Sequence, residues 1–114
     1  MKIAIFGAGA WGTALAVSLA GNHRVALWSR DAAQVREMAA DRCNRRYLQE
    51  ATLPAAVEPE ADFSRAVDGA ELLLVATSTS GLRDIAQRLR QGSSTAPVLW
   101  ACKGFEEESA LPPH

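Results

Sequence analysis

Three glycines, Gly7, Gly9 and Gly12, stand in a G-x-G-x-x-G arrangement between a short apolar run, Ile3 to Phe6, and an Ala-rich segment. A second apolar run, Val25 to Trp28, follows and ends at Ser29-Arg30. Each glycine answers a physical need. Gly7 lets the chain turn sharply out of a strand where a Cβ would clash. Gly9 leaves the backbone bare for a pyrophosphate to approach, and Gly12 lets the following helix lie close to the sheet. The helix opening near Ala10 aims its unpaired N–H groups and the positive end of its dipole at the same place. Anion binding here needs no side-chain charge, and none occurs from Ile3 to Asn22. Strand, glycine turn, helix and strand together point to a dinucleotide-binding βαβ unit.

Arg30 occupies the end of the second strand, eighteen residues past Gly12. An acidic residue at that place takes the ribose 2′-hydroxyl of NAD. A guanidinium suits a 2′-phosphate and can stack on adenine, which points to NADP with NAD also accommodated. The alternative is a solvated surface arginine. Trp11, at the helix start, either sits beside the pyrophosphate or nicotinamide or packs against a neighbouring domain. Lys103 directly follows a strand at the ligand edge, where its ammonium either binds an anionic substrate or cofactor or is a surface lysine. Ser78, Thr79 and Ser80 either bond a ligand or cap the next helix. His23 and His114 carry no functional reading, and no metal cluster or Ser/His/Asp arrangement is present in the sequence.

The elements that must position these residues alternate along the chain. A first helix is expected over Ala10–Ala20, with Ala14, Leu15, Leu19 and Ala20 apolar and a left-handed stop at Gly21-Asn22. The second strand is Arg24–Trp28. Asp31 caps a helix over Ala32–Arg42 whose buried stripe is Val35, Met38 and Ala39. Cys43 to Pro59 shows no long periodic pattern, and Pro54 and Pro59 forbid a long helix; a short strand is expected near Ala56–Glu58. A brief helix follows at Asp62–Val67, ended by Gly69. Glu71–Ala76 reads as a parallel strand buried on both faces, Leu82–Arg90 as an amphipathic helix, and Val98–Cys102 as the last strand. Trp28 and Trp100 are expected in the core. Five strands alternating with helices imply a Rossmann-type doubly wound α/β fold, a parallel sheet of order 3-2-1-4-5 with helices on both faces. Ligands then bind beyond the carboxyl ends of the strands, where Gly7–Trp11, Thr77–Gly81 and Lys103-Gly104 meet.

With 114 residues the chain holds one domain at most, and the apolar fraction of 48% is ordinary for a globular protein. A net charge of −1 gives no reason to expect nucleic acid or an anionic membrane as partner. Cys43 and Cys102 lack a CxxC spacing and read as reduced thiols of a cytoplasmic protein. The uncharged stretch after Lys2 also admits a signal peptide or membrane span, but three glycines weaken a hydrophobic helix and no stop-transfer pattern follows.

The segments GAGAWGTALA (7–16), VALWSRD (25–31), RCNRRYL with Leu53-Pro54 (42–54), ELLLVATS (71–78) and ACKGFE (101–106) resemble, in order and spacing, the bacterial NAD(P)-dependent glycerol-3-phosphate dehydrogenases. The resemblance covers essentially the whole chain. It implies an oxidoreductase interconverting glycerol 3-phosphate and dihydroxyacetone phosphate for phospholipid synthesis, cytoplasmic, without membrane insertion and homodimeric at full length. It places Ala10 and Trp11 in the cofactor loop, Arg30 at the 2′-phosphate and Lys103 against both cofactor and substrate. Two positions depart from the family pattern: Ala10 stands where serine is frequent, and Ala76-Thr77-Ser78 lacks the proline usual before that serine. The family's general-base lysine belongs to a helical C-terminal domain beyond this sequence. The expectation is therefore a cofactor-binding domain over residues 1–114, inactive alone, with no catalytic residue of its own. A non-catalytic NAD(P)-sensing module is the competing reading, because fold by itself does not imply an activity.

Overall fold

The computed structural model describes residues 1–44, 48–77, 84–89 and 96–100, the side chains of 48–51 and 100 excepted. The elements are β1 (Lys2–Phe6), α1 (Ala10–Leu19), β2 (Arg24–Trp28), α2 (Ala32–Asp41), β3 (Cys43–Asn44), β4 (Leu48–Thr52), β5 (Val57–Glu60), α3 (Phe63–Val67), β6 (Leu72–Val75) and β7 (Val98–Trp100). Residues 84–89 are also helical.

Five strands form one sheet in the order β5-β2-β1-β6-β7, every neighbouring pair parallel. This is the expected 3-2-1-4-5 order. The register places Phe6 beside Trp28 and Val75, so the carboxyl ends of the three central strands lie level.

Past Lys2 and Arg24, which open β1 and β2, the central strands are apolar because both faces are covered. Ile3, Ile5, Val25, Leu27, Val57 and Leu74 pack on one face with Ala16 of α1 and Val35 and Met38 of α2. Ala4, Phe6, Ala26, Trp28, Leu73 and Val75 pack on the other with Ala66 of α3 and Ile85. There Phe6, Trp28 and Phe63 form an aromatic trio, with ring centroids 4.8 to 6.0 Å apart. Phe6 and Trp28 are buried and Phe63 partly so; burying a large side chain such as Phe6 contributes about 2–3 kcal/mol.

Asp31 caps α2 as expected, its Oδ1 accepting from the N–H groups of Ala33 at 2.9 Å and Gln34 at 3.3 Å. Asp62 does the same for α3 through Ser64 and Arg65. Several details differ from the sequence reading. The stop at Gly21-Asn22 does not use left-handed residues: Ala20 is right-handed, and the N–H groups of Asn22 and His23 both close onto the Leu19 carbonyl. The left-handed C-cap belongs instead to Arg42, at φ 52°, whose guanidinium is held by the carbonyls of Pro54 and Val57. Ala39 is exposed, and Gln34 takes its place among the buried residues of α2. The stretch after Cys43 holds an antiparallel pair, β3 with β4, too short and too polar for periodicity to reveal. The expected strand near Val57 is present and runs to Glu60. Residues 101–102, expected to finish the last strand, lie outside the described residues, as does the side chain of Trp100.

Candidate functional site

A cleft of about 310 Å³ opens beyond the carboxyl ends of β1, β2 and β6, lined by Gly7, Gly9, Trp28, Ser29, Arg30 and Gln34, with Ala76, Thr77 and Ile85 on the far wall. The position is where an open parallel sheet changes winding direction, with β2 and β6 flanking β1.

The glycine loop forms one wall. Gly7 has φ +123°, and a Cβ there would stand 2.8 Å from the Ala76 carbonyl oxygen, so both conformation and space require glycine. A Cβ on Gly12 would run into the Gly7 carbonyl, which fixes how closely α1 approaches the loop. Gly9 differs: among the described residues, nothing lies within 4 Å of where its Cβ would stand. Packing within the protein therefore does not explain Gly9, whereas a ligand lying over the backbone would. Gly9 is also the N-cap of α1, and having no side chain it makes no capping hydrogen bond of its own. The helix turns its N-terminal dipole toward the cleft without an internal acceptor from Gly9.

A buried polar network, invisible to motif reading, holds this loop. The Ala8 carbonyl accepts from Gln34 Nε2 at 2.9 Å and from Asn44 Nδ2 at 2.8 Å. Asn44 Nδ2 also donates to Thr13 Oγ1 at 2.7 Å, and Ser29 Oγ donates to Gln34 Oε1 at 2.7 Å. The Asp31 N–H donates back to Ser29 Oγ. Thr13, Ser29, Gln34 and Asn44 are all buried. Gln34 of α2 and Asn44 of β3 thus meet at the Ala8 carbonyl, and through them the exit of β2 and α1 are tied to the loop. Buried amides satisfied in this way fix a single backbone geometry.

Arg30 stands at the lip, 61% exposed by its side chain, with Nη2 3.4 Å from Asp84 Oδ2. Arg88, four residues on, approaches the same oxygen through Nε at 3.5 Å. Its guanidinium lies 5.7 Å from the Trp28 ring centroid and 5.5 Å from that of Phe63.

Of the residues singled out in the sequence, Gly7, Gly9 and Arg30 line one cleft. Gly12 is buried within the first turn of α1, and Ala10 is exposed at the helix start. Trp11 is half-buried and packs against the chain's own core beside Leu15 and Leu19. Lys103 and Ser78, Thr79 and Ser80 lie outside the described residues. Among the described residues no group of acidic, histidine or cysteine side chains could hold a metal ion, and no helix is long and apolar enough to cross a membrane.

Residues 2–112 match the family described as NAD-dependent glycerol-3-phosphate dehydrogenase N-terminus. The whole chain is 46% identical to glycerol-3-phosphate dehydrogenase [NAD(P)+] of Thiobacillus denitrificans, covering 35% of that protein. Over 107 residues, 93% of the chain, it is 53% identical to the protein of the same name from Variovorax paradoxus, covering 31% of it. The solved glycerol-3-phosphate dehydrogenase of Coxiella burnetii superposes over 96% of this chain and 37% of its own, with a TM-score of 0.83 and 30% identity. The structure of that enzyme from Saccharomyces cerevisiae shares the fold, with a TM-score of 0.78 at 19% identity over 90% of this chain and 33% of its own. The chain spans about a third of the length of the curated relatives it matches. By the reach of the family match and the shared sheet, the chain belongs to the family of NAD-dependent glycerol-3-phosphate dehydrogenase N-terminal domains.

Proposed function

We propose that this chain is the cofactor-binding part of an oxidoreductase that interconverts glycerol 3-phosphate and dihydroxyacetone phosphate, using NADP and also accepting NAD. The observation that carries the reading is Gly9, the N-cap of α1 beside the cleft, whose Cβ position has no neighbour within 4 Å among the described residues. Gly7, Gly9 and Gly12 shape the turn for the pyrophosphate, and the amides of Ala10 and Trp11 extend it at the helix start. Arg30 takes the 2′-phosphate, and Lys103 contributes a cation to cofactor and substrate.

The bound cofactor supplies hydride chemistry at its nicotinamide. What the chain's own residues supply is orientation: a stiff loop on a bonded network, and a sheet edge that sets where the nicotinamide end points. The relatives named for this activity are about three times as long, so the general base and most of the substrate pocket are assigned to the remaining length. The same reading carries a cytoplasmic homodimer; a full-length form sedimenting as a monomer at all concentrations would remove that part of it.

A chimera separates this reading from a non-catalytic sensor. Residues 1–114 joined to the remaining length of the Thiobacillus denitrificans relative are expected to reduce dihydroxyacetone phosphate with NADPH. Lys103→Ala in that chimera is expected to lower kcat/KM at least tenfold, in keeping with loss of one preorganised cation. Cofactor binding without turnover in a chimera whose relative is active would favour the sensor.

A further inference from the structure

The lip of the cleft carries a charge arrangement that the glycine motif does not explain. Arg30 and Arg88 converge on one oxygen, Asp84 Oδ2, at 3.4 and 3.5 Å. Arg88 is braced over the Trp28 and Phe63 rings, so it is placed independently of Arg30. Asp84 and Ile85 belong to the helical residues 84–89, and Ile85 is both a wall of the cleft and a buried member of the core. The carboxylate is therefore carried on a packed helix. Two other acids stand near the end of β2: Asp31 is engaged with the amides of Ala33 and Gln34, and Glu60 accepts from the Asp62 N–H.

We propose that Asp84 is a specificity-determining residue that weakens the preference of the site for a 2′-phosphorylated cofactor. The proposal rests on the cofactor role of Arg30. A 2′-phosphate that pairs with Arg30 must approach a guanidinium already in contact with a carboxylate, and so brings two like charges together. NADH has no such group, and its ribose hydroxyl meets no repulsion. Asp84 thus narrows the gap between NADPH and NADH that Arg30 alone would open. Arg88 contributes by holding the same oxygen and keeping Asp84 at the lip.

The test is calorimetric titration of NADPH and NADH into the parent chain, Asp84→Asn, Arg30→Ala and the double variant. Asp84→Asn keeps the side chain's size at a half-exposed position and leaves Ile85 in place. Because the readout is the ratio of the two dissociation constants, a general loss of folding cancels. Asp84→Asn is expected to raise the preference for NADPH about 3- to 10-fold, the scale of a partly screened charge repulsion. The same change made on Arg30→Ala is expected to leave the ratio within twofold, since its effect runs through the Arg30-bound phosphate. Glu71→Gln, at the opposite edge of the sheet, is expected to leave the ratio unaltered. An unchanged ratio in Asp84→Asn overturns the proposal, and so does an equal rise in the Arg30→Ala background. A fall in the ratio overturns it too, and would make Asp84 a residue that holds Arg30 in place. If the parent binds neither nucleotide, the cofactor reading itself fails and the proposal falls with it.

Discussion

The three motif glycines are not equivalent, and the difference is measurable. Gly7 combines a positive φ with a carbonyl 2.8 Å from where a Cβ would sit, so Gly7→Ala is expected to cost about 1–3 kcal/mol in stability. Gly9→Trp starts from a Cβ position with no neighbour within 4 Å among the described residues, and is expected to shift stability by less than about 1 kcal/mol while abolishing saturable NADPH binding. Thermal melts beside a titration check both; a Gly9→Trp chain that binds like the parent would contradict the site. Asn44 is the less obvious residue. Its amide serves the Ala8 carbonyl and Thr13, so Asn44→Ala is expected to cost about 2–3 kcal/mol by denaturant unfolding. A loss below ~0.5 kcal/mol would mean the network does not stiffen the loop. The glycines and Arg30 were legible from the sequence because their spacing along one βαβ unit carries the meaning. Thr13, Ser29, Gln34 and Asn44 were not, because hydrogen bonds join them across separate elements and no spacing records that.

Apolar runs decide most of the elements. Ile3–Phe6, Val25–Trp28 and Leu72–Val75 are buried on both faces, so each reads as an uninterrupted hydrophobic segment and its place in a parallel sheet follows. Caps were legible for the same reason of locality: Asp31 and Asp62 bond amides two and three residues away. Asp31→Ala is expected to lower stability by about 1 kcal/mol, with Asp31→Asn restoring most of it, as a melting series reads directly. Equal losses in the two would assign the effect to charge instead of capping. The hairpin β3–β4 escaped because two residues facing five, with an irregular register, leave no alternation to find. The end of α1 needs no left-handed Gly21, because the N–H groups of Asn22 and His23 share the Leu19 carbonyl, a closure that no local residue type announces.

At the scale of the whole molecule, one sheet with helices on both faces brings the ends of three strands level and leaves an open edge between them. That edge gathers a bare glycine turn, a helix N-terminus and an arginine, groups that together match a dinucleotide better than any of them alone. Calorimetric titration of the chain with NADPH and then NADH, repeated for Arg30→Ala, reads out the glycine turn and the 2′-phosphate contact together. Saturable binding of NADPH, weaker binding of NADH, and a difference that shrinks in Arg30→Ala are the expected results. Equal binding of both nucleotides, or a difference untouched by Arg30→Ala, would contradict the assignment of the 2′-phosphate to Arg30, and absence of binding would contradict the site.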